Sequence, residues 1–430
     1  MQKIHFIGIG GIGISALARF LKEQGFKISG SDIKESKITK ELEKEGIDIK
    51  IPHHKDNVKD VDLVVYSAAI KEDNEELAGA KKQNITTLSR KEALPMILKD
   101  KRVFAVAGAH GKSTTSSILA SLIEASVIIG AVLKESGTNM LYKESENLVF
   151  EADESDSSFL NSNPYLAIVT NVEAEHLDHY ENDLARLHKA YADFLHLSKI
   201  QVINAEDEFL SSLNLNNAKR LYPSKDITNI YMKVENFKPK TYFTFKDFGE
   251  FSVFGMGEHV AMDATLAILA ASEFVSMEEI KTKLLKYQGI KKRFDILFAN
   301  ENMALIDDYG HHPTEIKTTL KAASEYARLA GYKKIIAIFE PHRYTRLSAN
   351  IEYFSEVLAS VDELYILPVY AAGEAKIEIN MQKYFPKAKF IKEIKREESA
   401  IYFDDELIEN GLVIGFGAGD ISTKLRGKYV

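Results

Sequence analysis

Residues 108–114, Gly-Ala-His-Gly-Lys-Ser-Thr, follow an apolar run and set a lysine and two hydroxyls behind a glycine turn. Glycines let backbone N–H groups face a phosphate. The lysine puts a cation on terminal phosphate oxygens, and the hydroxyl after it can ligate Mg²⁺. The spacing is the short G-x-x-G-K-S, because Val106 stands where the longer G-x-x-x-x-G-K-[ST] needs glycine. Gly108, Ala109, His110, Gly111, Lys112, Ser113 and Thr114 are therefore the expected ATP contacts. A second group of chemical residues, Glu151-Ala-Asp-Glu-Ser-Asp156, ends another apolar run. An acidic residue at a strand end beside a phosphate loop is where a nucleotide-bound Mg²⁺ is held. The run Leu166–Thr170 leads into Asn171-Val-Glu-Ala-Glu-His176-Leu-Asp178. Glu151 and His176 are thus expected on the same edge as the phosphate loop, although histidine is an uncommon Mg²⁺ ligand.

Three further clusters follow apolar runs. Near the N-terminus, Gly8-Ile-Gly10-Gly11-Ile12-Gly13 precedes a helical pattern, and Asp32 closes the next run. That geometry lays a diphosphate on a helix N-terminus while a carboxylate reads a hydroxyl-bearing ring. It fits a nicotinamide dinucleotide as well as another diphosphate nucleotide, but no hydride-transfer constellation accompanies it. Toward the C-terminus stand Asp307-Asp-Tyr309-Gly-His311-His-Pro-Thr-Glu315 and Glu340-Pro-His342-Arg343-Tyr-Thr-Arg346. Arginines at a strand's C-terminal edge suit bidentate binding of carboxylate or phosphate oxygens. Adjacent histidines at a strand end point apart, which favours substrate contact and helix capping over a metal site.

The elements that must position these residues alternate between strand and helix, implying parallel sheets with helices on their faces. The pattern predicts strands at His5–Ile9, Lys27–Gly30 and Asp62–Tyr66, with helices at Ile14–Gln24 and Ile38–Glu45. After charged Lys99–Arg102 come the phosphate-loop strand, an amphipathic run Ser116–Glu124, and strands at Asn147–Phe150 and Leu166–Thr170. An aromatic stretch, Leu221–Phe254, reads as an antiparallel excursion, and a helix follows over His259–Val275. Beyond Lys291-Lys-Arg293-Phe the α/β pattern restarts, with strands at Ala304–Ile306, Lys334–Phe339, Glu363–Leu367 and Leu412–Phe416. The expected organisation is three α/β domains. They are a Rossmann-like diphosphate-nucleotide domain at 1–98, an ATP-binding central domain with an antiparallel excursion at 99–293, and a Rossmann-like C-terminal domain at 294–430.

With 430 residues, 45% of them hydrophobic and 27% charged, the chain has the composition of a multidomain globular protein. A net charge of −8 argues against a nucleic-acid partner. The absence of cysteine excludes disulfides, thiolate metal sites and thiol nucleophiles. No stretch reaches the roughly 18 apolar residues of a membrane span. The glycine-bearing N-terminal run is unlike a signal peptide, so a cytoplasmic location without membrane insertion is expected.

Taken together and in order, these motifs resemble the Mur ligases, ATP-dependent amide-forming enzymes of peptidoglycan synthesis. The resemblance covers nearly the whole chain and also rests on Gly30-Ser31-Asp32, Ser67-Ala-Ala-Ile70, Ser157-Ser-Phe159 and Gly417-Ala-Gly-Asp420. It implies that the N-terminal domain holds a UDP-sugar through Gly8, Gly10, Gly11, Ile12, Ser31, Asp32 and Ser67. It implies further ATP contacts from His259, Arg293 and Asp307, catalytic roles for Lys112, Glu151, His176, Arg343 and Arg346, and substrate contacts from Tyr309, His311 and His342. Mg²⁺, as two ions, would sit on Ser113 and Glu151 and near His176, with no carbamylated lysine. The implied substrates are UDP-N-acetylmuramate and L-alanine, joined through an acyl phosphate by a monomer or homodimer. The alternative is a relative that attaches a murein tripeptide to the same UDP-sugar. Ser155, where that relative usually has Tyr, and Gly-Ile-Gly-Gly in place of its Gly-Ile-Cys-Gly favour the alanine-adding branch. The chain departs from the family pattern at Val260 and Asp263, which replace asparagines near the adenine, and at Glu340, where Gln is usual. Ser113 replaces the commoner Thr and keeps the hydroxyl.

Overall fold

The computed structural model describes residues 2–427 apart from His176 and Ser399. His176, an expected metal ligand, therefore lies outside the described residues. These residues divide into two compact units. One draws on the described residues within 2–228, 245–249 and 262–287; the other on those within 229–244, 250–261 and 288–427.

The first unit holds two sheets. Strands β1 (Lys3–Ile7), β2 (Lys27–Ser31), β3 (Asp48–Lys50), β4 (Leu63–Tyr66) and β5 (Thr86–Ser89) pair in parallel in the order β3-β2-β1-β4-β5. Strand β1 stops two residues short of its predicted end, because Gly8 takes φ +76° and turns the chain into the helix Ile12–Glu23. The second sheet contains β6 (Arg102–Ala107), β7 (Ser126–Ile128), β8 (Met140–Leu141), β9 (Asn147–Glu151), β10 (Leu166–Val169), β11 (Ile200–Asn204) and β12 (Lys219–Leu221). Its order is β12-β11-β10-β6-β9-β7-β8, parallel throughout except at β8. Strand β6 is central and covered on both faces, so Val103–Ala107 reads as an unbroken apolar run.

One apolar core runs through both sheets of this unit, from Phe6, Phe20 and Leu94 to Ala105, Phe150 and Phe194. A polar tie reinforces it. Buried Arg19 donates to Glu45 through Nε and Nη2 and to Asn139 Oδ1 at 2.7 Å. The Asn139 amide donates in turn to the Ile12 carbonyl and to Ser15 Oγ.

In the second unit, β13 (Ile227–Glu235), β14 (Lys238–Phe245) and β15 (Glu250–Phe254) form a three-stranded sheet, with β14 and β15 antiparallel. The aromatic stretch read as an antiparallel excursion is this sheet. A six-stranded sheet follows from β16 (Asp295–Ala299), β17 (Met303–Asp308), β18 (Ile335–Phe339), β19 (Glu363–Ile366), β20 (Lys389–Phe390) and a final strand. Three short strands, β21 (Ile394–Arg396), β22 (Ile401–Phe403) and β23 (Glu406–Ile408), make an antiparallel meander before that last strand, β24 (Gly411–Phe416). The order is β16-β17-β24-β18-β19-β20, with only β16 antiparallel. Neither edge strand β16 nor the meander was among the predicted strands. Both are short and half-buried, so they lack the apolar runs that mark interior strands. Among the described residues no helix is long and apolar enough to cross a membrane.

Candidate active site

The phosphate loop leaves the C-terminal end of β6 and enters the helix Lys112–Leu122 without an intervening turn. That helix begins four residues before the predicted amphipathic run, because Gly111 adopts φ +80° and supplies the left-handed step that launches it. A Cβ on Gly111 would collide with the Asp263 carboxylate, and one on Gly108 with Thr170 Oγ1. Strand β10 pins the loop from the neighbouring position. Ala109 N–H donates to the Asn171 carbonyl at 3.2 Å and His110 N–H to Asn171 Oδ1 at 2.9 Å. Thr170 Oγ1 and Asn171 Nδ2 both donate back to the His110 carbonyl. Two loop amides are thus committed to Asn171, so the backbone donors left for an anion are those of the helix's first turn, which have no intrahelical partners.

Lys112 and Ser113 open that turn. Ser113 Oγ donates to Glu151 Oε1 at 3.1 Å, and Gly130 N–H donates to Glu151 Oε2 at 3.0 Å. Strand β9 lies directly beside β6, in register Val106 to Glu151, which puts this carboxylate next to the loop. A hydroxyl and a carboxylate side by side are hard oxygen ligands that fit Mg²⁺. That ion keeps waters and phosphate oxygens for most of its octahedron and needs few protein groups. Among the described residues no cluster of three or more His, Asp or Glu forms a complete protein cage. Lys112 Nζ donates to the Gly108 and Ala109 carbonyls and, at 3.0 Å, to Glu154 Oε1. Burial works against the lysine's charge, but Glu154, Glu151 and Asp153 outweigh it and raise its pKa. Burial pushes the Glu154 carboxyl up despite Lys112, and the 3.0 Å contact marks an ion pair.

In the N-terminal sheet, Gly10 N–H donates to Asp32 Oδ2 at 2.8 Å, and Ile33 N–H to Asp32 Oδ1. A Cβ on Gly10 would lie 2.7 Å from that carboxylate. Asp32 therefore shapes the glycine loop before it meets any ligand. Ser67 abuts Gly8, and Ile12 is exposed at the helix start. The Ser31 hydroxyl turns inward to Glu76, a fully buried carboxylate also bonded by His54 N–H and Asn57. Its backbone carbonyl accepts from Gly8 and Ile9.

The second unit gathers the C-terminal motifs at the ends of β17, β24 and β18, three adjacent parallel strands. Loop crevices at such ends are where open α/β sheets bind ligands. Tyr309 lies under the Arg293 guanidinium at 5.5 Å and packs edge-on against His311. His311 meets His342, which stacks on Tyr370 with rings 10° from parallel. Arg346 Nη1 donates to His342 Nδ1 at 3.0 Å. Burial and the Arg346 charge push the His342 imidazole down to about 4, so it is neutral and able to accept that bond. Burial likewise lowers His311, and Arg346 is lowered by burial and by Arg343. Glu315 accepts from the N–H groups of His311 and His312, capping the helix Pro313–Ala330. Asp307 faces its own domain, accepting from Arg426 Nη2 at 2.7 Å and from Ser422 Oγ at 2.6 Å. His259 is exposed in the first turn of the helix Glu258–Ala271.

Several participants carry no motif of their own. Glu154 is one of four closely spaced carboxylates, and its separation from Glu151 in role appears only with the Lys112 contact. Gly130, which holds Glu151, lies outside every motif. Asn171 stood within one, but nothing marked it as the loop's anchor.

Family models match three successive segments: "Mur ligase family, catalytic domain" over residues 3–102, "Mur ligase middle domain" over 106–271 and "Mur ligase, glutamate ligase domain" over 292–419. The chain belongs to the Mur ligase family. It is 70% identical to a UDP-N-acetylmuramate--L-alanine ligase of Campylobacter jejuni over the full length of both proteins. It is 49% identical to the enzyme of that name from Helicobacter pylori, over 99% of this chain and 96% of the relative. Among solved structures, the UDP-N-acetylmuramate-alanine ligase of Thermotoga maritima superposes with a TM-score of 0.83 at 30% identity, covering 99% of this chain and 98% of that one.

Proposed function

We propose that the chain joins L-alanine to the lactyl carboxylate of UDP-N-acetylmuramate, the first amino-acid addition in making a peptidoglycan precursor. It is an ATP-dependent ligase. The observation that carries this reading is the convergence of Lys112, Ser113 and Glu151 beside one strand end, in a chain similar along its whole length to ligases of that name. In this reading domains divide at 98/99 and 293/294, and the reaction runs in the cytoplasm, where its nucleotide substrates are.

A carboxylate does not react with an amine at neutral pH. The lactyl carboxylate first attacks the γ-phosphate of ATP, giving an acyl phosphate and ADP. The alanine amine then attacks the acyl carbon and phosphate leaves. Both partners in the first step are anions, so positioning and charge neutralisation supply most of the catalysis. Lys112 moves from Glu154 to the phosphoryl oxygens, and the first-turn amides of its helix orient them. Ser113 and Glu151 would hold Mg²⁺, which when bound would neutralise phosphate charge and align the ATP. A second ion at His176 is a reading from sequence alone. The Arg346 and Arg343 guanidiniums receive the alanine carboxylate or the acyl phosphate, and Tyr309, His311 and His342 line their surroundings. Gly8–Ile12, Ser31, Asp32 and Ser67 take the UDP-sugar; the backbone carbonyl of Ser31 supports the loop while its hydroxyl faces inward. His259, Arg293 and Asp307 stand as ATP contacts on the family resemblance, Asp307 through a rearrangement of its Arg426 pair.

The decisive assay measures phosphate release from ATP, Mg²⁺ and UDP-N-acetylmuramate with L-alanine, glycine, L-serine or the murein tripeptide. Release with L-alanine is expected. Release with the tripeptide and not with alanine would transfer the chain to the recycling reaction.

A further inference from the structure

Arg343 sits in a conformation that L-residues rarely adopt, φ +70° and ψ 131°, immediately before the helix Tyr344–Leu358. Something must hold it there. The ties come from the segment Tyr370–Glu374, thirty residues downstream. Arg343 N–H donates to the Tyr370 carbonyl at 2.9 Å and Tyr370 N–H to the Pro341 carbonyl at 2.8 Å. The Tyr370 ring stacks on His342. Glu374 completes the clamp: Arg343 Nε donates to Oε1 at 2.6 Å, Thr345 Oγ1 to Oε1 at 2.6 Å and Thr345 N–H to Oε2 at 3.1 Å. The Thr345 bonds, with Arg343, hold the Glu374 carboxyl down to about 2, so it stays ionised.

We propose that Glu374 is a positioning residue for amino-acid binding, holding Arg343 by its Nε edge so that the Nη1 and Nη2 donors remain for the carboxylate of the incoming amino acid. A guanidinium has five donors in a rigid fork, so fixing one edge orients the other. An arginine with 48% of its side chain exposed would otherwise sample many rotamers. Glu374 is only 15% exposed and anchored by Thr345, so it is the fixed partner of the pair. The competing account makes Glu374 a helix cap alone, bonding Thr345 N–H in the first turn. The two accounts predict different things for the three substrates.

The inference rests on the alanine-ligase reading, and the test separates the two. Wild-type, Glu374→Ala and Glu374→Gln proteins are compared for the Michaelis constants of L-alanine, ATP and UDP-N-acetylmuramate and for thermal midpoint. Glu374→Ala should raise the L-alanine KM about 10- to 100-fold, the range lost when a supporting partner or a precise placement goes, with the other two constants within about twofold. Glu374→Gln retains a carbonyl acceptor for Arg343 Nε and should recover much of the loss. An unchanged L-alanine KM in Glu374→Ala, three constants rising together, or a lowered midpoint with no KM split would overturn the positioning role. If the alanine variant does not fold, the isosteric glutamine variant alone decides: a rise of about threefold or more confined to L-alanine supports the role, and none overturns it. A wild-type protein without alanine-dependent phosphate release would instead overturn the functional reading itself.

Discussion

Glu340, buried at the end of β18, offers a sharp test of the electrostatics. Its carboxyl is 1% exposed, accepts from Ile421 N–H, and meets Lys424 Nζ at 3.0 Å. Burial first, and then a hydrogen bond shared with Asp420, push it up to about 7. Asp420 moves the other way, held low by that same bond, so the two carboxyls keep one proton between them through much of the neutral range. Because the folded pKa of Glu340 exceeds its ordinary value of 4.5, the folded chain keeps a proton that the unfolded chain releases. The resulting stability is complete below about 4.5 and is lost as pH climbs toward 7. The whole interval, with the Lys424 attraction already counted in it, is worth about 3 kcal/mol, of which about 2 kcal/mol falls between about pH 5 and about pH 8. Glu340→Gln removes the ionisation while its amide can donate to Asp420 and its carbonyl can accept from Ile421 N–H. Relative to wild type, the variant should therefore gain about 2 kcal/mol between about pH 5 and about pH 8. That is roughly 5 °C in the midpoint of a unit of this size. Thermal unfolding of both proteins across that range measures the difference, in which other titrating groups cancel. Parallel midpoint–pH curves, or a wild type gaining on the variant as pH rises, would show Glu340 ionised throughout and refute the reasoning.

Lys112→Ala should cut phosphate release by about a thousandfold or more; a surviving rate would remove the loop from its role. Gly130→Ala places a Cβ 2.9 Å from Glu151 Oε1, so the half-saturating Mg²⁺ concentration should rise about tenfold, and an unchanged Mg²⁺ titration would count against the Ser113–Glu151 site. Arg426→Met removes the cation shared by Asp295 and Asp307, carboxylates buried and directly opposed across β16 and β17; it should cost about 3–5 kcal/mol in denaturant unfolding. Adding Asp295→Asn should recover about half of that, and a cost below about 1 kcal/mol would mean the carboxylates are not dependent on Arg426.

Much of the architecture was legible because interior parallel strands must be apolar on both faces. Val103–Ala107, Leu166–Val169 and Leu412–Phe416 announce themselves as unbroken runs, and their polar terminations mark where chemistry can sit. That is how Gly108–Thr114, Glu151 and Tyr309–His311 could be assigned to strand ends. Edge strands such as Asp295–Ala299 bury one face weakly and leave no such trace. Side-chain partnerships across long sequence separations were not legible at all. Glu374 holds Arg343 from 31 residues away and Asn139 reaches Ile12 across 127. Nothing in local spacing distinguishes such a glutamate or asparagine from a solvated one. The loop itself held a subtler surprise: its Ala109 and His110 amides, expected to face phosphate, serve Asn171 instead.

The place of β24 in its sheet carries a consequence for how the protein is made. The strand of this sheet that is made last is an interior one, flanked by β17 and β18, which pair with it and not with each other. Until residue 416 is available, two half-sheets expose unpaired edges on either side of an open slot. Such edges are what aggregation and mispairing exploit. The six-stranded sheet can therefore close only after its five other strands have all been made. A chain cut off before Gly411 would leave it as two unjoined halves.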